Sequence, residues 1–253
     1  MTATFIGIDL AWKSQRNPTG AVVLSGDRDG AKLEIIATLR SLADVFQFVC
    51  ANATEETVVA IDAPLIIGNQ SGQRGCETAV GKRYGSREAS CHTSNLDRFP
   101  DASSVAIAGL LETEGFLHVE PLRKERVGRI LAEVYPHAAM VALFDLPKTL
   151  KYKKGPVTEK RSGLAHLRKY ISSLVETEPA LVMTESLKAL LGIDLGRMVG
   201  RGLKSYEDTL DSVFCAYLAF YFWYWGWERN ELFGDTDSGY ILNPKLKTNV
   251  HFE

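Results

Sequence analysis

Two apolar runs near the amino end each carry a single aspartate: Phe5-Ile-Gly-Ile-Asp-Leu-Ala-Trp12 and Thr57-Val-Val-Ala-Ile-Asp62. Short unbroken apolar runs of this kind read as buried strands. A lone buried carboxylate costs roughly several kcal/mol unless it is paired or bound to a metal. A fold that keeps both Asp9 and Asp62 must therefore answer for their charge. Between the two runs, Asn17-Pro-Thr-Gly20 is a turn and Ala21-Val-Val-Leu24 a second strand. Gly26-Asp-Arg-Asp-Gly30 is a hairpin-like turn and Leu33-Glu-Ile-Ile-Ala-Thr38 a third strand. Ser41 caps a helix to about Asn52, with Leu42, Val45, Phe46 and Val49 on one face. Short turns make the first three strands antiparallel, and the helical crossover sets the fourth parallel to the first. Asp9 and Asp62 then lie at corresponding ends of neighbouring strands, where they repel one another and a divalent cation is the natural remedy.

The rest of the chain extends this core. Residues from about 68 to 128 read as an irregular insertion, with weak helical character near Ser103–Glu114. Arg129–Tyr135 reads as a fifth strand, and Pro136 opens a helix at its first turn. Helices follow over Glu159–Val175 and Glu185–Ile193, and Ser205 caps a long one to about Trp227. Ser238–Pro244 adds a strand or docks as extended chain. The expected architecture is one α/β domain over residues 1–253. It is ribonuclease H-like, with a mixed five-stranded sheet of order 3-2-1-4-5, strand 2 antiparallel, flanked by helices.

A length of 253 residues, 45% hydrophobic and 24% charged, is ample for a sizeable core. The formal net charge of -2 does not announce a nucleic-acid partner, which would need a local basic patch. Cys50, Cys76, Cys91 and Cys215 form no C-x-x-C pair and read as reduced structural residues. The amino terminus has no charged n-region, and Phe214–Trp227 is too short to span a bilayer. A cytoplasmic protein with no membrane partner is expected.

A third acidic set stands on the last long helix, in Tyr206-Glu-Asp-Thr-Leu-Asp211. Leu210, Phe214, Tyr217, Leu218 and Tyr221 carry its apolar face, and Asp211 falls at the edge of that face with Asp208 three residues away. Glu133 interrupts the fifth strand, where it is either catalytic or paired with a buried Arg or Lys. Between Lys148 and Lys169 stand eight basic residues and one acid, Glu159. Lys151, Lys153, Lys154 and Arg161 are the candidate contacts to a nucleic-acid backbone, with Tyr152 available for stacking. Arg74, Lys82, Arg83 and Arg87 form a second cluster. His137 reads as a helix-start residue, and His92, His118, His166 and His251 show no ligand spacing.

The stretches Gly-Ile-Asp-Leu-Ala-Trp, Ile-Asp-Ala-Pro-Leu, Glu-Val-Tyr-Pro-His-Ala-Ala and Asp-x-x-Asp-Ser-Val-Phe-Cys-Ala-Tyr-Leu-Ala together resemble the family called domain of unknown function 429, from about Phe5 to Pro244. The resemblance implies a predicted nuclease of the ribonuclease H-like superfamily. The acid layout is also similar to that of the superfamily's Holliday-junction resolvases, which implies Asp9, Asp62, Asp208 and Asp211 as catalytic acids. Arg-Gly-Cys-Glu is similar to a family motif, which implies a phosphate contact for Arg74. The expected function is hydrolysis of nucleic-acid phosphodiesters with Mg²⁺ or Mn²⁺ held by Asp9, Asp62 and Asp211. The alternatives are a ribonuclease H-like module that binds nucleic acid or a nucleotide without cutting, and a phosphotransferase of the sugar-kinase and actin type. The sequence has one first-strand motif and no Walker-type glycine loop, which weighs against the latter.

Overall fold

The computed structural model describes residues 2–11, 17–119, 121 and 123–246; Trp12 and His251 lie outside them. The first run forms β1 (Ala3–Asp9), antiparallel to β2 (Thr19–Asp27), which is antiparallel to β3 (Gly30–Leu39). Helix α1 (Leu42–Asn52) begins at the expected cap. Ser41 Oγ accepts from the Asp44 N–H at 3.0 Å, and the Asp44 carboxylate accepts from the Ser41 N–H at 2.9 Å, a reciprocal pair that serves two donors at the helix start. The chain returns to β4 (Glu56–Ile61), parallel to β1.

The stretch from 68 to 128 is more ordered than expected. It holds α2 (Gly75–Tyr84), α3 (Ser103–Thr113) and a two-residue strand, β5 (Leu117–His118). The expected fifth strand is β6 (Gly128–Glu133), parallel to both β4 and β5. The sheet order is β3-β2-β1-β4-β6-β5, with β2 the antiparallel strand. The expected five-strand order holds, and β5 adds a sixth strand too short for alternation to mark in the sequence. Then come α4 (Pro136–Leu143), with proline at its first turn, α5 (Val157–Ser173), α6 (Glu185–Leu191) and α7 (Gly200–Trp225). A hairpin of β7 (Asn230–Asp235) and β8 (Gly239–Pro244) ends the described chain.

Helix α7 starts at Gly200, with Val199 at the N-cap, so Ser205 lies inside it rather than capping it. The added turn is held in two ways. Leu203 is buried, and Lys204 reaches Glu207 and Asp208 at helical spacing. From Tyr206 to Trp225 every residue is buried. Among the described residues no helix is long and apolar enough to cross a membrane.

Period-two alternation divides the sheet residues between two layers. Ile6, Ile8, Val59, Ile61 and Leu131 face α1 and α3, whereas Phe5, Val58, Ala60, Ile130 and Ala132 face α7 and α4. On the second face α7 meets the sheet backbone itself. A Cβ at Gly7 would lie 2.1 Å from both Ser212 O and Ala216 N, and one at Gly20 would lie 2.4 Å from Ser212 Oγ and 2.6 Å from Asp208 O. Gly7→Ala is therefore expected to destabilise the protein by roughly 1–3 kcal/mol, a Tm loss of about 2–12 °C at this chain length. Gly109→Ala, inside α3 with nothing within 4 Å of the added carbon, should leave Tm unchanged or raise it. Thermal denaturation of the two variants checks the contact.

Candidate functional site

Asp9 is the last residue of β1, and Asp62 follows β4 directly. The parallel ladder continues through both ends: the Asp62 N–H donates to Ile8 O at 2.9 Å and the Val134 N–H to Ile61 O at 3.0 Å. Asp9 and Asp62 thus stand side by side at the carboxyl ends of adjacent parallel strands, where ligand crevices form in open α/β sheets. Asp9 is opposite Gly20 in the ladder, and the Asp208 carbonyl packs on Gly20. This contact carries the third acid to the first, so that Asp208 and Asp9 feel one another's charge. Asp9, Asp62, Asp208, Lys153 and Lys204 line a cavity of about 480 Å³, with Tyr135, His92 and His137 on its wall.

Two lysines answer part of the acidic charge. Asp211 is fully buried; the Tyr152 hydroxyl donates to its Oδ1 at 2.8 Å, and Lys153 Nζ lies 2.9 Å from its Oδ2. The same ammonium is 3.8 Å from Asp62 Oδ2. Burial pulls Lys153 down, but Asp211, Asp9 and Asp62 outweigh it and hold the ammonium well above its ordinary range. Lys204 Nζ sits 2.6 Å from Asp208 Oδ1 and 2.8 Å from Glu207 Oε1. Asp208 Oδ2 is buried and has no hydrogen-bond partner among the described residues. Burial, with Asp211 and Asp208 nearby, pushes the Asp9 carboxyl up to about 7 against the pull of Lys153.

The structure splits the expected D-x-x-D pair. Asp208 lines the cavity, whereas Asp211 lies behind it, walled off by Tyr152 and Lys153. Tyr152 is fully buried and spends its hydroxyl on Asp211, so it is a second-layer donor and no stacking platform. Among the described residues no three Asp, Glu, His or Cys side chains are drawn together as a ready metal cage. The donors nevertheless suit a hard divalent ion, which takes carboxylate oxygens. Asp9, Asp62 and Asp208 face the cavity, and the orphaned Asp208 Oδ2 is an acceptor without a donor.

Glu133 does not join this set. It pairs with Ile61 across the ladder, one residue out of phase with Asp62, and although it lines the same cavity its oxygens are already claimed. It accepts from Arg74 Nη1 at 2.9 Å, Arg74 Nη2 at 2.5 Å and the Leu65 N–H at 2.8 Å. Arg74 also donates to Glu77 Oε1 and Ile66 O, both at 2.9 Å. Four of its five N–H donors are used and it is 3% exposed, which gives Arg74 a structural part in place of the phosphate contact expected of it. Arg161 likewise donates to Met198 O at 3.1 and 2.8 Å, tying α5 to the segment before α7. Lys148 and Lys151 share Glu88, and Lys154 is exposed at the cavity rim. The basic run is therefore divided among an acid cluster, a surface pair and the rim.

Lys204 escaped the sequence reading, and His137 was read only as the helix-start residue that it is. His137, in the first turn of α4, lines the cavity; its Nδ1 is 2.9 Å from Thr149 Oγ1 and burial drives its pKa down to about 3. The ring is thus neutral near pH 7. Lys204 was legible only once α7 is known to start before it, since its spacing of four from Asp208 is the signal.

Two outcomes are expected. Asp9 titrates higher folded than unfolded, so its contribution to stability is present below about pH 4 and is lost as pH rises to about 7. In metal-free buffer the Tm of Asp9→Asn should therefore gain on wild type between pH 4 and pH 8, as calorimetry at several pH values would record. Arg74→Met strands two buried carboxylates and should cost about 3–5 kcal/mol in denaturant titration.

The family model described as protein of unknown function (DUF429) matches residues 7–226, a span that takes in the end of β1 with Asp9, all of β4 and the whole of α7 with its three acids and Lys204. No curated protein matches the chain. The chain belongs to the DUF429 family.

Proposed function

We propose that the protein is a divalent-metal-dependent nuclease that hydrolyses phosphodiester bonds in the cleft at the carboxyl ends of β1 and β4. One observation carries the reading: carboxylates from two neighbouring strands and a helix packed on their backbone, Asp9, Asp62 and Asp208, face one cavity of about 480 Å³. These three would hold Mg²⁺ or Mn²⁺, which supplies a Lewis acid and a bound water of lowered pKa. The chain's own groups do the rest. Lys204 and Lys153 keep the acids oriented. Asp9, whose carboxyl burial raises to about 7, must yield its proton before it can act as a ligand. Neutral His137 offers a hydrogen bond from the wall. Lys151 and Lys154 at the cavity edge meet the substrate backbone as point charges. A cytoplasmic setting belongs to the same proposal, and the four free thiols, Cys50, Cys76, Cys91 and Cys215, suit reducing conditions.

A second reading, a module that binds nucleic acid without cutting it, is favoured by the two lysines that already neutralise part of the acid charge. Calorimetry with Mn²⁺ separates the two. Wild type should bind Mn²⁺ at submillimolar concentration, Asp9→Asn should lose that binding by about a hundredfold or more, and cleavage of DNA or RNA should disappear with it. Wild type that binds no metal even at millimolar concentration with nucleic acid present would transfer the protein to the binding reading. Metal binding without cleavage of any nucleic acid would keep the site and remove the substrate.

A further inference from the structure

Lys153 stands where an added cation would also be drawn. Its two partners hold it unequally. The contact to Asp211 Oδ2 is a close ion pair at 2.9 Å, inside the fold. The contact to Asp62 Oδ2, at 3.8 Å, is too long for a hydrogen bond and is purely Coulombic. Asp62 is 18% exposed and lines the cavity, so the loose end of this arrangement is the end that faces the cleft. Across the cleft, Asp208 Oδ2 is buried with no donor while Lys204 holds its other oxygen. The site therefore has an acceptor without a cation on one side and a weakly held cation on the other.

We propose that Lys153 is the resident cation of this cleft: it shares its charge between Asp62 and Asp211 in the metal-free protein and withdraws from Asp62 when a divalent ion binds Asp9, Asp62 and Asp208. The inference rests on the metal-dependent reading of the site. A dication among these carboxylates repels an ammonium a few ångströms away, and the lysine's flexible four-carbon stem can swing without moving its backbone. That backbone is anchored by Tyr152, whose hydroxyl is fixed on Asp211, and it turns at Gly155, where φ is +100°. The displaced ammonium remains on the wall beside Lys151 and Lys154, where an anionic substrate group enters. Metal binding thus adds a positive charge to the mouth of the cavity, and metal and phosphate favour one another's binding.

Calorimetry with Mn²⁺ and Lys153→Met tests this. Without the competing charge the variant should bind Mn²⁺ about tenfold or more tightly than wild type, a shift of the size found for coupled neighbouring sites. Its metal-free Tm should fall, because Asp211 loses its ion pair, and Mn²⁺ should recover more of that Tm than it adds to wild type. A second measurement uses the unaltered protein: reductive methylation followed by peptide mass spectrometry should label Lys153 slowly in chelator and several-fold faster in Mn²⁺. Equal or weaker Mn²⁺ affinity in the variant, or Lys153 labelling indifferent to Mn²⁺, would reduce Lys153 to a structural ion pair and leave the metal reading standing. If neither protein binds Mn²⁺, the inference and the metal reading fall together. If the variant does not fold, the labelling of wild type decides.

Discussion

Helix α7 touches the backbone of β1 and β2 where both strands carry glycine, with Ser212, Ala216 and Asp208 filling the space that side chains at Gly7 and Gly20 would take. Ridge-and-groove packing usually keeps a helix farther from a sheet, with a layer of side chains between. Removing that layer at two positions does more than tighten the core. It sets the height and the rotation of α7 over the strand ends. Asp208 is placed against Asp9 because its own carbonyl rests on the residue paired with Asp9. Asp211, one turn further on, is pushed into the interior, where Tyr152 and Lys153 must serve it.

Much of this was legible from the chain. Asp9 and Asp62 could be placed side by side because strand runs, a hairpin turn and a capped crossover helix leave few topologies. For Glu133 the same reasoning left two readings, catalytic or paired with a buried Arg or Lys, and the structure has it paired with Arg74. Its neighbours in β6 are apolar on both faces, so the sequence does not display the phase that separates it from Asp62. In the ladder it pairs with Ile61 rather than with Asp62, and Arg74 claims both of its oxygens. Arg74 and Arg161 show a related limit. A basic residue in sequence carries no mark of whether a buried carboxylate or a carbonyl already claims it, and both are claimed here. Lys204 was missed for a different reason. Ser205 is a good helix starter by type, and local preference gave way to the burial of Leu203 and the two ion pairs of Lys204.

The two buried ion clusters divide their work. Arg74 with Glu77 and Glu133 is saturated: the donors and acceptors nearly match, and the cluster locks the first turn of α2 to the end of β6. The cluster around Asp9 is unsaturated. Five carboxylates, Asp9, Asp62, Glu207, Asp208 and Asp211, meet two ammoniums, Lys153 and Lys204, and two buried acid oxygens, Asp208 Oδ2 and Asp211 Oδ2, accept no hydrogen bond. A buried network that is complete stiffens a fold, while an incomplete one stores electrostatic demand that a ligand can meet. Both kinds open on the same cavity wall.

The contact between Gly7 and Ala216 joins chain positions about two hundred residues apart, a long closure for a domain of this size. During synthesis β1 leaves the ribosome early and waits with its α7-facing side bare, since Phe5 finds Phe220 and Trp223 only when the last helix arrives. The acid cluster is assembled at that same moment. A nascent or truncated chain therefore carries Asp9 and Asp62 without Asp208 or Lys204, and any activity housed in the cleft is switched on by the completion of folding itself.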